Sequence, residues 1–278
     1  MSKVKALILT GFGLNCDNET ALAFEMAGAR AHRVHINTLI SGEERLENYH
    51  ILAFGGGFSW GDDHGAGVIQ ALKLKNNIGR DLLDFVAAGK LVIGICNGFQ
   101  ALVNLGLLPG LDADYTRRSV AITFNDCGNF RDQWVRLAAD EKSPCVFTRG
   151  LETVDYPVRH GEGKVIADPA VIETLVANNQ VVFRYAGADG NPADGAFPAN
   201  PNGAVDDIAG ICDPTGRVFG LMPHPEAYNH FTNHPDWPKA KEIAKRQGKT
   251  PGEEVVTGIR LFENGVSYIK ENLGSAQK

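Results

Sequence analysis

The chain has 278 residues, enough for one large α/β domain or two small ones, and its 44% hydrophobic and 22% charged residues are the balance of a soluble globular protein. A formal charge of −6 without any long basic run argues against nucleic acid as a partner. No apolar stretch approaches the roughly 20 residues of a membrane-spanning helix, and the short apolar run around Lys3 and Lys5 reads as a first strand, not as a signal peptide.

In chain order, VKALILT (4–10) is a short apolar run of buried-strand type, and a helix is predicted from Asp17 to Ala29. AHRVHIN (31–37) alternates as a strand should, and HILAFGG (50–56) is an apolar strand ending in glycines. A long helix is predicted over 68–89, closed by Gly89. LVIGI (91–95) is the next strand and NGFQALVNLG (97–106) the next helix, stopped by Gly106 and Pro109. Apolar strands alternating with helices imply a parallel sheet covered on both faces.

Beyond residue 110 the texture changes. RSVAITF (118–124) and QWVRLAA (133–139) read as paired strands, and VDYPVRHGEGKV (154–165) as a strand interrupted by glycines. VVFRYAG (181–187), DDIAGICD (206–213) and RVFGLM (217–222) are further short strands. ADGNPADGAFPANPNGA (188–204) reads as a loop, and the tail from Pro238 as helical, with an amphipathic pattern over 253–273. No repeat or linker divides the chain, so a single domain over 1–278 is expected, with a helical C-terminal extension from about 228. The cysteines (Cys16, Cys96, Cys127, Cys145 and Cys212) are odd in number and lack CxxC spacing. That argues against a disulfide framework or a cysteine-rich zinc site, and for a reducing, cytoplasmic setting.

Ligands of such sheets bind at the carboxyl ends of the strands, where Gly11, Gly55 to Gly57 and Cys96 all fall. GFGLNC (11–16) begins like a dinucleotide fingerprint, but Cys16 stands at the third glycine and no acidic residue closes the second strand, so a plain turn is the better reading. GICNGFQ (94–100) has the G-x-nucleophile-x-G form of an elbow, with strand before and helix after. A thiol placed there meets the helix N-terminus, whose dipole favours thiolate. The alternative, a glycine-flanked core cysteine, does not require that frame. GGGFSWGDDHGAG (55–67) lacks the ending of a phosphate loop. As a flexible loop it would be unremarkable, but beside a nucleophile its glycines let backbone N–H groups form an oxyanion hole. Within it, Asp62, Asp63 and His64 read as solvated.

A cysteine nucleophile needs a base and an orienting group. Of the eight histidines, His224 stands apart because it follows an apolar strand and precedes Glu226 by two residues. In an extended His-x-Glu segment both side chains leave one face, so the carboxylate can hold the ring. A metal site built on His224, His230 and His234 is disfavoured by the intervening prolines, and no metal is expected.

With these pieces in place the sequence resembles the cysteine-dependent (class I) glutamine amidotransferases, through Gly94-Ile95-Cys96-Asn97-Gly98-Phe99-Gln100 and His224-Pro225-Glu226. Within them, GGFSWGD (56–62), GICNGFQ, HGEGK (160–164), NPNGA (200–204) and MPHPE (222–226) are similar to the signatures of the phosphoribosylformylglycinamidine synthase branch. Ala204 and Ala227 depart from the serine and arginine common there. The resemblance implies a three-layer α/β sandwich with a mostly parallel central sheet. It implies a Cys96–His224–Glu226 triad, an oxyanion hole from backbone N–H groups of Gly56, Gly57 and Asn97, and substrate contacts from Gln100 and His160. It also implies that glutamine is hydrolysed here and its ammonia passed to a larger synthetase subunit, with a small accessory subunit, which makes formylglycinamidine ribonucleotide in purine biosynthesis. ATP and Mg²⁺ would belong to that partner, and no cofactor to this chain. The rival readings are a free-standing amidohydrolase or γ-glutamyl peptidase with the same triad, and a catalytically silent binding module.

Overall fold

A computed structural model describes residues 3–250 and 257–273, so the start of the predicted C-terminal helix, 253–256, lies outside the described residues. The elements are β1 (Lys5–Thr10), α1 (Asp17–Met26), β2 (Arg30–His35), α2 (Ile36–Ile40), β3 (Ile51–Phe54), α3 (Val68–Ala87), β4 (Leu91–Ile95) and α4 (Asn97–Leu105). There follow β5 (Val120–Phe124), β6 (Arg131–Ala139), β7 (Thr153–His160), β8 (Glu162–Ala167), α5 (Pro169–Ala177), β9 (Val181–Ala186), β10 (Ile208–Cys212), β11 (Val218–Leu221), α6 (Trp237–Arg246) and α7 (Thr257–Leu273).

Nine strands form one sheet in the order β2-β1-β3-β4-β11-β10-β9-β6-β7. The first five pair in parallel and the rest antiparallel, so that seven strands run one way and only β6 and β10 oppose them. β1, β3, β4 and β11 are almost wholly buried, which accounts for their unbroken apolar sequences. From β1 the chain passes through α1 outward to β2, and from β3 through α3 the other way to β4. Right-handed crossovers in opposite directions put the two helices on opposite faces. Accordingly α1 packs with α7, and α3 with α4. The result is the expected α/β sandwich with a large, mostly parallel central sheet. The order reverses between β1 and β3, a switch point that opens a crevice at the carboxyl ends of these strands.

Phe54, Phe99 and Phe219 are each less than 2% exposed, and each contributes about 2–3 kcal/mol by leaving water. Phe99 lies directly on Gly220 of β11, where an added Cβ would come within 2.8 Å of the ring. The nucleophile-bearing turn therefore rests on close-packed core.

Two expectations need correction, and one helix was not foreseen. β5 and β6 do not pair: β5 joins β8 in a separate two-stranded sheet, while β6 lies between β7 and β9. The strand predicted over 31–37 ends at His35, whose side chain accepts a hydrogen bond from Asn37 N–H (3.1 Å) and starts the short α2. α5 was not predicted, although Asp168 caps it by accepting from Ala170 N–H (2.9 Å) and Pro169 supplies a preset first turn. The break in 154–165 is real, at Gly161 between β7 and β8.

Candidate active site

Cys96 sits between β4 and α4 with φ 52° and ψ −108°, a left-handed backbone that a non-glycine residue adopts at a cost of about 1–3 kcal/mol. Its N–H donates to Leu221 O (2.8 Å), which ties the turn to the end of β11. The flanking glycines serve packing. A Cβ on Gly94 would meet Leu102 Cδ1 at 2.6 Å and Gly98 O at 2.7 Å, and one on Gly98 would lie 2.6 Å from the carbonyl carbon of Phe54. α4 can thus rise from the strand only if its first turn lies flat on β3. Asn97 is the first residue of α4, directly after Cys96, so its N–H has no acceptor within the helix. The Cys96 thiol lies 3.7 Å from Arg159 O of β7, which returns against this end of the sheet.

His224 follows β11 and is 2% exposed. Its N–H donates to Pro157 O (2.8 Å), and its Nδ1 lies 2.6 Å from Glu226 Oε1, itself 1% exposed. Burial pushes the imidazole toward neutrality, but the Glu226 carboxylate and the Cys96 sulfur outweigh it and raise its pKa well above the ordinary value. His224 Nε2 and Glu226 Oε2 have no hydrogen-bond partner within the protein. The sequence-predicted trio of Cys96, His224 and Glu226 is therefore brought to one edge, with the ring nitrogen opposite the carboxylate left for the sulfur.

The glycine loop adjoins this trio. A Cβ on Gly56 would come within 2.6 Å of His224 Cε1, and Gly57 (φ 148°) would place one 2.7 Å from Gly13 O. Only glycine fits both positions.

Asn97 has a side-chain role that sequence reading missed. Its Oδ1 accepts from Ser59 N–H (3.3 Å), and its Nδ2 donates to Asp62 Oδ1 (3.0 Å) and Gln100 Oε1 (3.2 Å). Gln100, 4% exposed, donates in turn to Glu162 O. The GGFSWGD, GICNGFQ and HGEGK segments are thus one network. Asp62 is a correction: it is half-buried in this network, and burial beside Glu162 pushes its carboxyl up to about 6. Asp63 and His64 are exposed as expected.

His160 is 2% exposed, with Nδ1 3.0 Å from Asn125 Oδ1, which also accepts from Gly163 N–H. Burial, and then His224, push the imidazole down to about 3, so it is neutral and donates its Nδ1 proton to Asn125. Asn202 Nδ2 donates to Gly163 O (2.8 Å) and to Tyr185 OH (3.1 Å). Asn202 of NPNGA is therefore a buried anchor for the HGEGK strand, while Asn200 donates to Ala204 O and Asp207 Oδ1, and the loop over 188–204 is fastened at that end. His230 and His234 lie elsewhere: His230 caps a short turn at Phe231–Asn233, and His234 lies 3.9 Å from Asp155.

Cys16 is the residue that sequence reading passed over. It lies at the carboxyl end of β1, its N–H donates to Gly56 O (3.2 Å), and its Sγ stands 4.0 Å from His224 Nδ1. Burial raises its thiol pKa, and His224 moderates the rise. A cavity of about 300 Å³ opens beside Cys16, His224 and Glu226.

Residues 3–269 match the family of CobB/CobQ-like glutamine amidotransferase domains. The phosphoribosylformylglycinamidine synthase subunit PurQ of Methanococcus maripaludis strain S2 is 46% identical, with 96% of this chain and 98% of that protein covered. That of Dehalococcoides mccartyi strain 195 is 44% identical, over 98% of this chain and all of the relative. Among solved structures, a chain of PurLQS from Thermotoga maritima superposes with a TM-score of 0.67 at 27% identity, over 96% of this chain and all of that one. The chain belongs to the CobB/CobQ-like glutamine amidotransferase family and, within it, to the PurQ subunits of phosphoribosylformylglycinamidine synthase.

Proposed function

We propose that this chain hydrolyses glutamine with Cys96, His224 and Glu226 and delivers the ammonia to a separate synthetase subunit of phosphoribosylformylglycinamidine synthase. The observation that carries the reading is Cys96 held at φ 52° on a strand–helix turn, on the same sheet edge as the buried His224–Glu226 pair. A strained turn that lifts a thiol to the head of a helix serves no packing need. It serves presentation of a nucleophile.

In the proposed cycle the Cys96 thiolate attacks the side-chain amide carbon of glutamine. The oxyanion receives hydrogen bonds from Asn97 N–H and from the N–H groups at Gly56 and Gly57. His224, kept protonated by Glu226, gives its proton to the leaving nitrogen, and ammonia departs from a γ-glutamyl thioester. Neutral His224 then takes a proton from water, hydroxide attacks the thioester, and glutamate leaves as the thiolate reforms. Gln100 keeps one spare donor and one spare acceptor for substrate, and His160, whose Nδ1 is held by Asn125, has only Nε2 left for a substrate contact. The PurQ relatives support assembly with a synthetase partner, on which ATP and Mg²⁺ would act. The place of the chain among PurQ subunits supports a cytoplasmic setting; among the described residues no helix is long and apolar enough to cross a membrane.

The test is the complex reconstituted with Cys96→Ala. Glutamine-dependent synthesis is expected to disappear while synthesis from added ammonium salt survives. A diazoketone analogue of glutamine is expected to label Cys96, as read by peptide mass spectrometry. Label on another cysteine, or unchanged glutamine-dependent synthesis, would overturn the assignment. Fast glutamine turnover by the isolated chain, unchanged by the synthetase, would favour a free-standing amidohydrolase.

A further inference from the structure

We propose that Cys16, His224 and Glu226 form a binding site for a divalent zinc-like cation that reversibly shuts off the catalytic base. One ligand atom from each residue lies within 4.8 Å of the other two. Thiolate, imidazole and carboxylate are the donor types that zinc takes, commonly three from protein with water in the fourth place. Glu226 Oε2 is buried without any partner in the protein, which makes it an acceptor aimed at a ligand yet to arrive.

The spacing asks for side-chain movements of about 1 Å at most, since the three ligand atoms lie within 4.8 Å of one another. Zinc bonds of about 2.0–2.3 Å in a tetrahedron set neighbouring ligand atoms about 3.3–3.7 Å apart. Cys16 Sγ and His224 Nδ1 are 4.0 Å apart, so they need approach by only a few tenths of an ångström. Nδ1 and Glu226 Oε1 are 2.6 Å apart and must separate, which a carboxylate rotation toward Oε2 achieves. The cavity of about 300 Å³ gives an ion access, and Glu19 adds negative charge on its wall. Ala227 lines the same cavity with a methyl group and brings no competing cation. Arg159, the cation on that wall, is half-exposed and faces Asp132 at 3.9 Å.

Occupancy has a defined chemical consequence. Metal on Nδ1 displaces the Glu226 hydrogen bond, and the remaining ring proton then resides on Nε2. A ring in that state accepts no proton from Cys96 or water, so acylation and thioester hydrolysis both stop. The Cys16 proton is released to solvent when the cation binds. Removal of the metal restores the imidazole–carboxylate pair. Cation binding stands apart from the glutaminase reading; the shut-off rests on it.

Cobalt(II), titrated into the full chain under a phosphine reductant, reads the site without any activity. A thiolate-to-cobalt charge-transfer band is expected, and zinc is expected to bleach it. The band should persist in Cys96→Ser and vanish in Cys16→Ser. The proposal is overturned if no band forms, if the band is lost in Cys96→Ser, or if it survives in Cys16→Ser. In the second arm, the complex's glutamine-dependent synthesis is inhibited by zinc and recovered with a chelator. Cys16→Ser should need far more zinc for half-inhibition, each complex being read against its own zinc-free activity. Loss of a direct ligand should exceed the roughly tenfold to hundredfold effect of losing an outer-shell partner. Equal zinc sensitivity of the Cys16→Ser and parent complexes would overturn the regulatory role, even where the cobalt band has established binding.

Discussion

At the scale of single residues, the working question is what keeps a fully buried imidazole charged. Burial favours the neutral ring of His224, and the carboxylate of Glu226 at 2.6 Å is the largest opposing influence. Glu226→Gln keeps an acceptor of the same shape but removes the charge. The His224 pKa then falls, and with it the pH at which the imidazolium loses the proton it must give to ammonia. In glutamine hydrolysis by the complex, kcat is expected to fall on the order of hundredfold or more, with KM for glutamine little changed. The alkaline limb of the pH–kcat profile should move to lower pH. A profile unmoved by the substitution would mean that another group sets the charge of His224. His224 and Glu226 were legible as a pair in the sequence from their spacing. The backbone expected there was extended, whereas Glu226 sits in a single 3-10 turn, Pro225–Ala227, that turns its carboxylate back to the ring. Cys16 was not legible, since 208 residues separate it from His224 and only the shared sheet edge joins them.

At the scale of elements, the junction between β4 and α4 carries a constraint that glycine alone satisfies. A Cβ on Gly98 would press on the backbone of Phe54, which belongs to a fully buried strand and cannot retreat. Gly98→Ala is expected to cost at least about 1–3 kcal/mol of unfolding free energy, the usual toll of overpacking. Gly79, on α3, offers the contrast, because its nearest neighbour is a Lys75 side-chain carbon at 3.9 Å. Gly79→Ala should stabilise by up to about 1 kcal/mol through helix propensity. Urea denaturation of both variants checks the pair, and equal effects would refute the packing argument. The parallel half of the sheet was legible because each strand–helix unit carries its own periodicity and fixes its neighbour through a right-handed crossover. The antiparallel half was not. Adjacent β5 and β6 suggest a hairpin, but Asn125 between them is drawn to His160 O (2.8 Å) and sends β5 into the smaller sheet. That partner lies 35 residues away, and nothing in the local pattern names it.

At the scale of the whole molecule, the buried polar groups couple the far half of the sheet to the site. Asn125, His160, Gly163, Asn202 and Tyr185 form one set of hydrogen bonds among β7, β8, β9 and two loops. Such a network holds these segments in a single arrangement only while every member keeps its protonation state. His160 is its titratable weak point. In the folded protein the imidazole is pushed down to about 3, against 6.5 for the free side chain. Between those values the unfolded chain binds one proton more than the folded chain, so unfolding free energy rises with pH across that window and is lost as pH falls. The slope from this one group approaches about 1.4 kcal/mol per pH unit, or on the order of 2 kcal/mol by pH 5. His160→Asn keeps an amide donor near the Nδ1 position and removes the titration. The variant is expected to be less stable than the parent at pH 7 because of the cavity left by the ring. Its disadvantage should shrink steadily as pH is lowered from 6.5 toward 4. The measurement is a series of urea denaturation curves across that range for both proteins. Parallel pH dependences would show that His160 takes up its proton as readily folded as unfolded, and would remove it from the network as drawn.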